Sequence, residues 1–200
     1  MGEQGEKKIL INGTNNRYQI KKLTRAEVEI KKRKSSEKWG LTDEYFTIEK
    51  QELIIKALFD NMNLNFNLNT SSNNMDSTVL YSLNIITAEL NKKISSYKQQ
   101  DIIRKLLDTE KFIDLNTVIT NLHECNLECY YCKDKMFLLY EMARELKQWS
   151  VDRVNNDLGH NCDNIVMACL DCNLKRRCKG ANAFLFTKQL TIVKSQENEF

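Results

Sequence analysis

The seven cysteines of this 200-residue chain are the residues whose type and spacing point most directly to chemistry. They occupy positions 125, 129, 132, 162, 169, 172 and 178. An odd number of clustered cysteines favours metal binding over a disulfide framework. The pairs Cys129–Cys132 and Cys169–Cys172 each have the Cys-x-x-Cys spacing. One such pair alone could be redox-active, but two together predict the four thiolates of a tetrahedral structural zinc site.

Three cysteines lie outside the two pairs. Cys125 precedes the first pair closely enough to replace one of its ligands, whereas Cys162 and Cys178 are spare thiols. Burial as a small apolar residue is the favoured interpretation for such a cysteine.

The segment between and after the cysteine pairs predicts a strand, a loop, a second strand and a helix. Residues 149–154 alternate apolar and polar side chains and contain the Asp152-Arg153 pair. Residues 164–169 favour a second strand, and residues 172–177 favour a short basic helix. This order is the outline of a ββα-metal site.

These residues resemble the HNH endonucleases, specifically the zinc-knuckle branch, over a segment from Cys129 to about Gly180. The resemblance implies that the four paired cysteines hold a structural Zn²⁺. It implies that Asp152 and Asn173 bind a catalytic Mg²⁺ or Mn²⁺, for which oxygen ligands are suited. It also implies that Asn164 holds the loop that positions the catalytic base.

The chain departs from the usual family pattern at Arg153, where many members have the histidine base. Arginine stays protonated and cannot act as a base. His160 follows within the same motif, and a related group of sugar-non-specific nucleases has an Asp-Arg-Gly-His order in which the later histidine is the base. By this resemblance His160 is the base and Arg153 contacts a phosphate oxygen. The alternatives are that His160 only hydrogen-bonds within its loop or ligates a metal; His123 is a weaker candidate.

The elements that must position these residues divide the chain into three predicted regions. Residues 1–40 form a basic, solvated arm; residues 41–115 form a helical region with an asparagine-rich linker at 61–76; and residues 116–200 form the HNH-like domain. A helix start is expected at residues 42–44, helical spacing extends over 77–109, and residues 183–193 favour a closing helix or strand. The predicted fold class is α+β.

The net charge of +3 is too small to indicate a polycation, so binding of nucleic acid must depend on local patches. Two patches are candidates, each with a solvated surface as its alternative: Lys31, Lys32, Arg33 and Lys34 in the arm, and Lys175, Arg176, Arg177 and Lys179 around the last helix of the motif. The first patch also fits a nuclear localisation signal.

No stretch approaches the roughly 20 apolar residues that cross a bilayer, and the N-terminus lacks the apolar core of a signal peptide. We therefore expect no membrane partner and an intracellular location, in cytoplasm or nucleus. A viral or mobile-element origin fits the resemblance to the HNH endonucleases.

The resemblance to the HNH endonucleases implies a metal-dependent endonuclease that hydrolyses phosphodiester bonds in DNA, with RNA and branched DNA as open alternatives. Two other functions compete with this one. The first is an inactive HNH-derived module that binds nucleic acid, and the second is a zinc-stapled protein-interaction domain.

Overall fold

The computed structural model describes residues 31–67 and 77–190. It divides the chain into two compact units, Met1–Lys31 and Lys32–Phe200, and the features below, apart from Lys31, belong to the second unit. The arm predicted at 1–30 and residues 68–76 of the predicted linker lie outside the described residues.

The described elements are five α-helices, two short 3-10 helices and one two-stranded antiparallel sheet. The 3-10 helices are Ser36–Lys38 and Asp43–Phe46. The helices and strands follow in the order α1 Ile48–Asn67, α2 Ser77–Arg104, α3 Leu115–Glu124, β1 Trp149–Arg153, β2 Ile165–Cys169, α4 Leu170–Arg176 and α5 Ala181–Gln189. The α+β prediction is confirmed.

The asparagine-rich segment differs from its prediction, because residues 61–67 continue α1 and are not part of a linker. Asparagine is a modest helix former, but adding a residue to an existing helix is far easier than nucleating a new one. The amphipathic residues before position 61 therefore extend the helix into this segment.

Residues 32–40 also differ from the predicted solvated arm. The Arg33 guanidinium pairs with Glu89 on α2 at 2.6 Å and stacks over the Tyr140 ring at 4.3 Å. Trp39 is buried in the core. The free energy of burying an apolar ring and pairing a guanidinium is more favourable than that of leaving both in solvent. This part of the segment is therefore folded.

Helix α2 buries one stripe of side chains from Leu83 onward. Leu83, Ile86, Leu90 and Ile94 recur every three or four residues, and all four are buried. This period places them on one face of the helix. Asp101, seven residues or about two helical turns beyond Ile94 on the same stripe, is completely buried as well.

The two strands form a hairpin in which Trp149 pairs with Cys169 and Arg153 pairs with Ile165. Helix α4 begins immediately after β2, and the Cys169 sulfur caps it by accepting a hydrogen bond from the Cys172 backbone N–H at 3.4 Å. The strand–strand–helix order predicted from sequence is therefore present. No helix in the described ranges, 31–67 and 77–190, is long and apolar enough to cross a membrane.

A buried glutamine joins α1 to the irregular segment before β1. The Gln51 side chain accepts hydrogen bonds from the backbone N–H groups of Leu138 (2.6 Å) and Leu139 (3.2 Å). Its amide donates to the carbonyls of Tyr45 (3.1 Å) and Leu139 (2.9 Å). One side chain thus satisfies four backbone groups in the interior.

We expect Gln51→Leu to lower the free energy of unfolding by about 3 kcal/mol, because it leaves buried backbone donors and acceptors unpaired. Urea denaturation measures this loss. Gln99→Leu, at an exposed position on α2, is the matched control and should change stability by less than about 0.5 kcal/mol. Equal effects of the two variants would contradict the role assigned to Gln51.

Candidate functional site

The two Cys-x-x-Cys pairs meet in one cluster. The sulfur atoms of Cys129, Cys132, Cys169 and Cys172 all lie within 4.8 Å of one another, and those of Cys132 and Cys169 are 3.9 Å apart. A tetrahedral zinc with Zn–S bonds of about 2.3 Å separates its sulfurs by about 3.8 Å. The four cysteines could therefore bind a metal such as zinc.

Backbone hydrogen bonds hold the first pair in a tight turn against the sheet. The N–H of Cys129 donates to the Asp134 carbonyl at 2.9 Å, and the N–H of Lys133 donates back to the Cys129 carbonyl at 3.0 Å. The Tyr130 N–H donates to the Met167 carbonyl on β2 at 2.8 Å. This turn brings Cys129 and Cys132 to the junction of β2 and α4, where the second pair lies.

The four thiols of the cluster differ in pKa. A hydrogen bond from Cys169 lowers the pKa of Cys129 to about 5, and the same bond raises the pKa of Cys169. Burial raises the pKa of Cys172 to about 12 and also raises the pKa of Cys132. One thiolate is thus stabilised by its neighbours, and a divalent cation would stabilise the charge on the other three.

The remaining cysteines and His123 do not belong to this cluster. Cys125 is half-buried, and Cys162 and Cys178 are exposed. The ring of His123 stacks on that of Phe59 with a centroid separation of 4.1 Å.

Four of the residues predicted for catalysis line a single cavity of about 350 Å³ beside the hairpin. They are Asp152, Arg153, His160 and Asn173. Helix α2 supplies another part of the wall through Tyr97, Gln100 and Arg104. The cavity thus lies between the hairpin–helix motif and the long helix of the preceding region.

Asp152 is buried and its carboxylate is already paired. Its Oδ2 accepts hydrogen bonds from the Tyr131 hydroxyl at 2.7 Å and the Arg176 Nε at 2.5 Å. Among the described residues, its Oδ1 accepts only one hydrogen bond, from Arg176 Nη2 at 2.8 Å. A carboxylate oxygen has two lone pairs, so Oδ1 retains one for a further ligand.

Arg176 is buried, and this corrects the expectation that it contacts nucleic acid from the surface. Besides Asp152, its guanidinium donates to the carbonyls of Arg153 (2.5 Å) and Lys179 (2.6 Å) and to the Asn156 side chain (3.0 Å). The side chain faces inward because only there do its donors meet this set of acceptors.

Asn173 lies on α4 directly across from β1. Its amide nitrogen donates to the Ser150 hydroxyl at 3.2 Å and to the Val151 carbonyl at 3.1 Å. Among the described residues, no donor bonds its Oδ1 atom. These bonds orient the amide and leave its oxygen free for a ligand.

Asn164 ties together the loop between the strands. Its side chain accepts from the Asn155 N–H at 2.9 Å and donates to the carbonyls of Asn155 (2.9 Å) and Gly159 (3.0 Å). The residue before His160 is therefore held by the same side chain that closes the loop.

Asp101 holds His160 at two points. The Asp101 carboxylate accepts from the backbone N–H of His160 at 2.7 Å, and its other oxygen lies 2.8 Å from the ring Nδ1. A carboxylate can only accept, so Nδ1 carries the ring proton and Nε2 keeps its lone pair. The Tyr97 ring lies against the imidazole at 4.7 Å.

Burial lowers the pKa of His160 below its ordinary value, against the opposing effect of Asp101. The imidazole is therefore neutral at physiological pH. Gly159 makes this arrangement possible, since a Cβ there would lie 2.4 Å from the Leu106 carbonyl oxygen and 2.9 Å from Asp101 Oδ2.

Apart from Arg33, the other basic residues predicted to contact nucleic acid differ from Arg176 in being exposed. Lys175 is exposed and pairs with Asp171 at 2.6 Å, and Lys32 is exposed and pairs with Glu141 at 3.0 Å. Lys31, Lys34 and Lys179 are exposed, as is Arg177 at the cavity.

Sequence reasoning missed the contributions of α2, namely Asp101, Tyr97 and Arg104. One signal was present: Asp101 lies in register with the buried stripe of an amphipathic helix, where a carboxylate needs a partner. The partner itself is 59 residues away, and no local pattern identifies it.

Comparisons of this chain with protein-family models, curated proteins and solved structures give no match.

We expect the purified, reduced protein to carry one zinc ion per chain, measured by native mass spectrometry. Cys169→Ser should abolish stoichiometric zinc and lower stability by more than about 3 kcal/mol, because metal affinity contributes directly to folding. Cys125→Ser is the matched control and should keep its zinc. Zinc loss in both variants, or a wild type that takes up none, would contradict the cluster as the binding site.

Proposed function

We propose that this protein is a divalent-metal-dependent endonuclease that hydrolyses phosphodiester bonds of DNA in the cavity between α2 and the hairpin. The observation that carries the proposal is the buried His160–Asp101 pair in the same cavity as Asp152 and Asn173. A neutral, oriented imidazole beside oxygen ligands is the equipment that water attack on a phosphodiester requires.

His160 is the proposed general base. With its Nδ1 proton bonded to Asp101, it would accept the proton of the attacking water at Nε2. Asp101 would keep the tautomer with the proton on Nδ1 and would stabilise the imidazolium that forms. An aspartate that orients a catalytic histidine has this role in other enzymes. The lowered pKa of His160 keeps the base unprotonated at neutral pH.

Asp152 Oδ1 and Asn173 Oδ1 would hold the catalytic Mg²⁺ or Mn²⁺. Both are hard oxygen donors; the first has a free lone pair and the second has no hydrogen-bond donor among the described residues, so the donor set fits such a cation. When bound, the cation would stabilise negative charge on the phosphoryl oxygens. The cysteine cluster, with its soft sulfur donors, would hold a separate structural Zn²⁺.

The resemblance to zinc-knuckle HNH endonucleases supports the same proposal. The hairpin and the short helix have the strand–strand–helix order of that motif, and the four cysteines converge at its base. Arg153, which lines the cavity, would contact a phosphate oxygen, and Asn164 would keep the loop of His160 in place. Exposed Lys31, Lys34 and Lys179 are proposed to contact the DNA backbone, and the proposed location is intracellular.

A second candidate is a module that binds nucleic acid without cutting it. The specific observation in its favour is the bidentate pairing of Asp152 with Arg176, which neutralises the carboxylate expected to bind the cation. In that case the cavity would bind phosphate, and cleavage would not follow.

Wild-type protein should nick supercoiled plasmid in Mg²⁺ or Mn²⁺, and His160→Ala should lower the rate by at least about 100-fold, since a general base contributes about that much. Nicking is measured on gels, with EDTA added only at the time of assay. His123→Ala is the matched control and should retain activity. An active His160→Ala variant would exclude His160 as the base, and full affinity for DNA without nicking under any metal would favour the second candidate.

Asp101→Asn should lower kcat by about 10² to 10⁴-fold, because the tautomer of His160 is no longer enforced. In the pH profile of wild-type kcat/KM, the acid limb should have its midpoint below about pH 6.5, the ordinary histidine pKa. The reason is that burial lowers the pKa of His160. The variant removes two interactions that raise this pKa, so its acid limb should move lower still.

The matched control for the change of charge is Asp157→Asn, at an exposed position in the loop that contains His160. A folded Asp101→Asn variant with reduced kcat but an unmoved acid limb would assign Asp101 a purely structural role.

A further inference from the structure

Three arginines from three different elements converge on the cavity. Arg104 is the last residue of α2, Arg153 is the last residue of β1, and Arg177 directly follows α4. Only the last two lie within the motif segment; Arg104 comes from the helical region that precedes it.

None of these three guanidinium groups forms an ion pair with any described residue. Arg153 is anchored by donating to the carbonyls of Leu158 (3.0 Å) and Asn156 (3.4 Å). Burial and the neighbouring charge of Arg104 lower the pKa of Arg153. Positive charges have therefore been brought close together without an acidic partner.

The carboxylates nearby do not balance this charge. Asp152 pairs with Arg176, and Asp101 pairs with a neutral His160. With Arg176 added to the three arginines, four guanidinium groups face the carboxylates of Asp152 and Asp101. This leaves a net charge of +2 in and directly around the cavity. A site of this charge attracts an anion and repels a free divalent cation.

Arg177 is held at the cavity by an unusual backbone conformation. Its φ of 52° and ψ of −117° place it in a region that non-glycine residues rarely adopt. The Asn156 side chain donates to the Arg177 carbonyl at 3.1 Å and stabilises this turn. Strained residues of this kind concentrate at binding sites.

We propose that Arg104, Arg153 and Arg177 form a phosphate-binding subsite, and that a nucleic-acid phosphate enters it before the divalent cation does. The bound phosphate lowers the positive charge and supplies additional oxygen ligands, so phosphate and cation bind cooperatively. The proposal rests on the proposed function for its substrate class. It adds an order of binding and assigns a substrate contact to α2.

The probe is thymidine 3′,5′-bisphosphate, which carries phosphates but has no internucleotide bond to cut. Calorimetry in buffer free of added Mg²⁺ and Mn²⁺, with protein zinc verified, measures its binding to the full chain. Wild type should bind it, and Arg104→Ala should weaken binding by about tenfold or more, as expected for loss of a charge-assisted contact. Lys98→Ala, exposed on the same helix, should bind like wild type.

Mn²⁺ binding, measured by electron paramagnetic resonance against protein-free blanks, gives the second readout. Wild type should bind Mn²⁺ about tenfold more tightly when the bisphosphate is present, because linkage between the two sites is reciprocal. Arg104→Ala should shift the two affinities in opposite directions: weaker for the bisphosphate, and tighter for Mn²⁺ alone because one repelling charge is gone. Loss of folding would weaken both.

Two results would overturn the proposal: equal Mn²⁺ affinity with and without the bisphosphate, or bisphosphate binding that requires Mn²⁺. Its failure is distinguishable from failure of the proposed function. Plasmid nicking without metal-free phosphate binding would reject only the subsite, whereas cooperative binding without nicking would reject only the cleavage reaction.

Discussion

The buried ion pair between Asp152 and Arg176 is the interaction on which the rest of the site depends. It joins β1 to α4, and the Tyr131 hydroxyl adds the cysteine turn to the same carboxylate. Removing one partner of such a pair leaves a buried charge uncompensated, which costs about 3–5 kcal/mol. The hairpin, the helix and the cysteine cluster are therefore coupled through one carboxylate as well as through any metal that the cysteines bind.

This pairing also decides the electrostatics of the cavity. A free Asp152 would make the site attractive to a cation, but Arg176 cancels that charge, and Asp101 is the one carboxylate left beside three further arginines, so a net charge of +2 remains. The neutral state of His160 removes one possible positive charge, since burial outweighs the influence of Asp101 on its pKa. In the proposed order of binding, an anion held by the arginines would help to stabilise a cation at Asp152 and Asn173.

Local patterns in the sequence predicted the parts of the site whose signals are short-range. The spacing of the paired cysteines indicated their cluster, and alternation in residues 149–154 indicated the first strand. Arg176 could not be placed this way, because one basic residue in a basic run has the same local pattern whether it is exposed or buried. Its burial follows from acceptors on β1 and in the loop after it, 20 to 24 residues away.

The contribution of the helical region to the site is equally invisible to local sequence patterns. Helical spacing of apolar residues over 77–109 is typical of a helix that packs in the interior, and the stripe of Leu83, Ile86 and Leu90 is buried in this way. Asp101 continues that stripe with a carboxylate, and the cost of burying an unpaired charge means that a partner had to exist elsewhere. Since that partner is the proposed base, residues 116–200 alone contain His160 but not the group that sets its tautomer. The long helix is therefore part of the candidate site rather than a support for it.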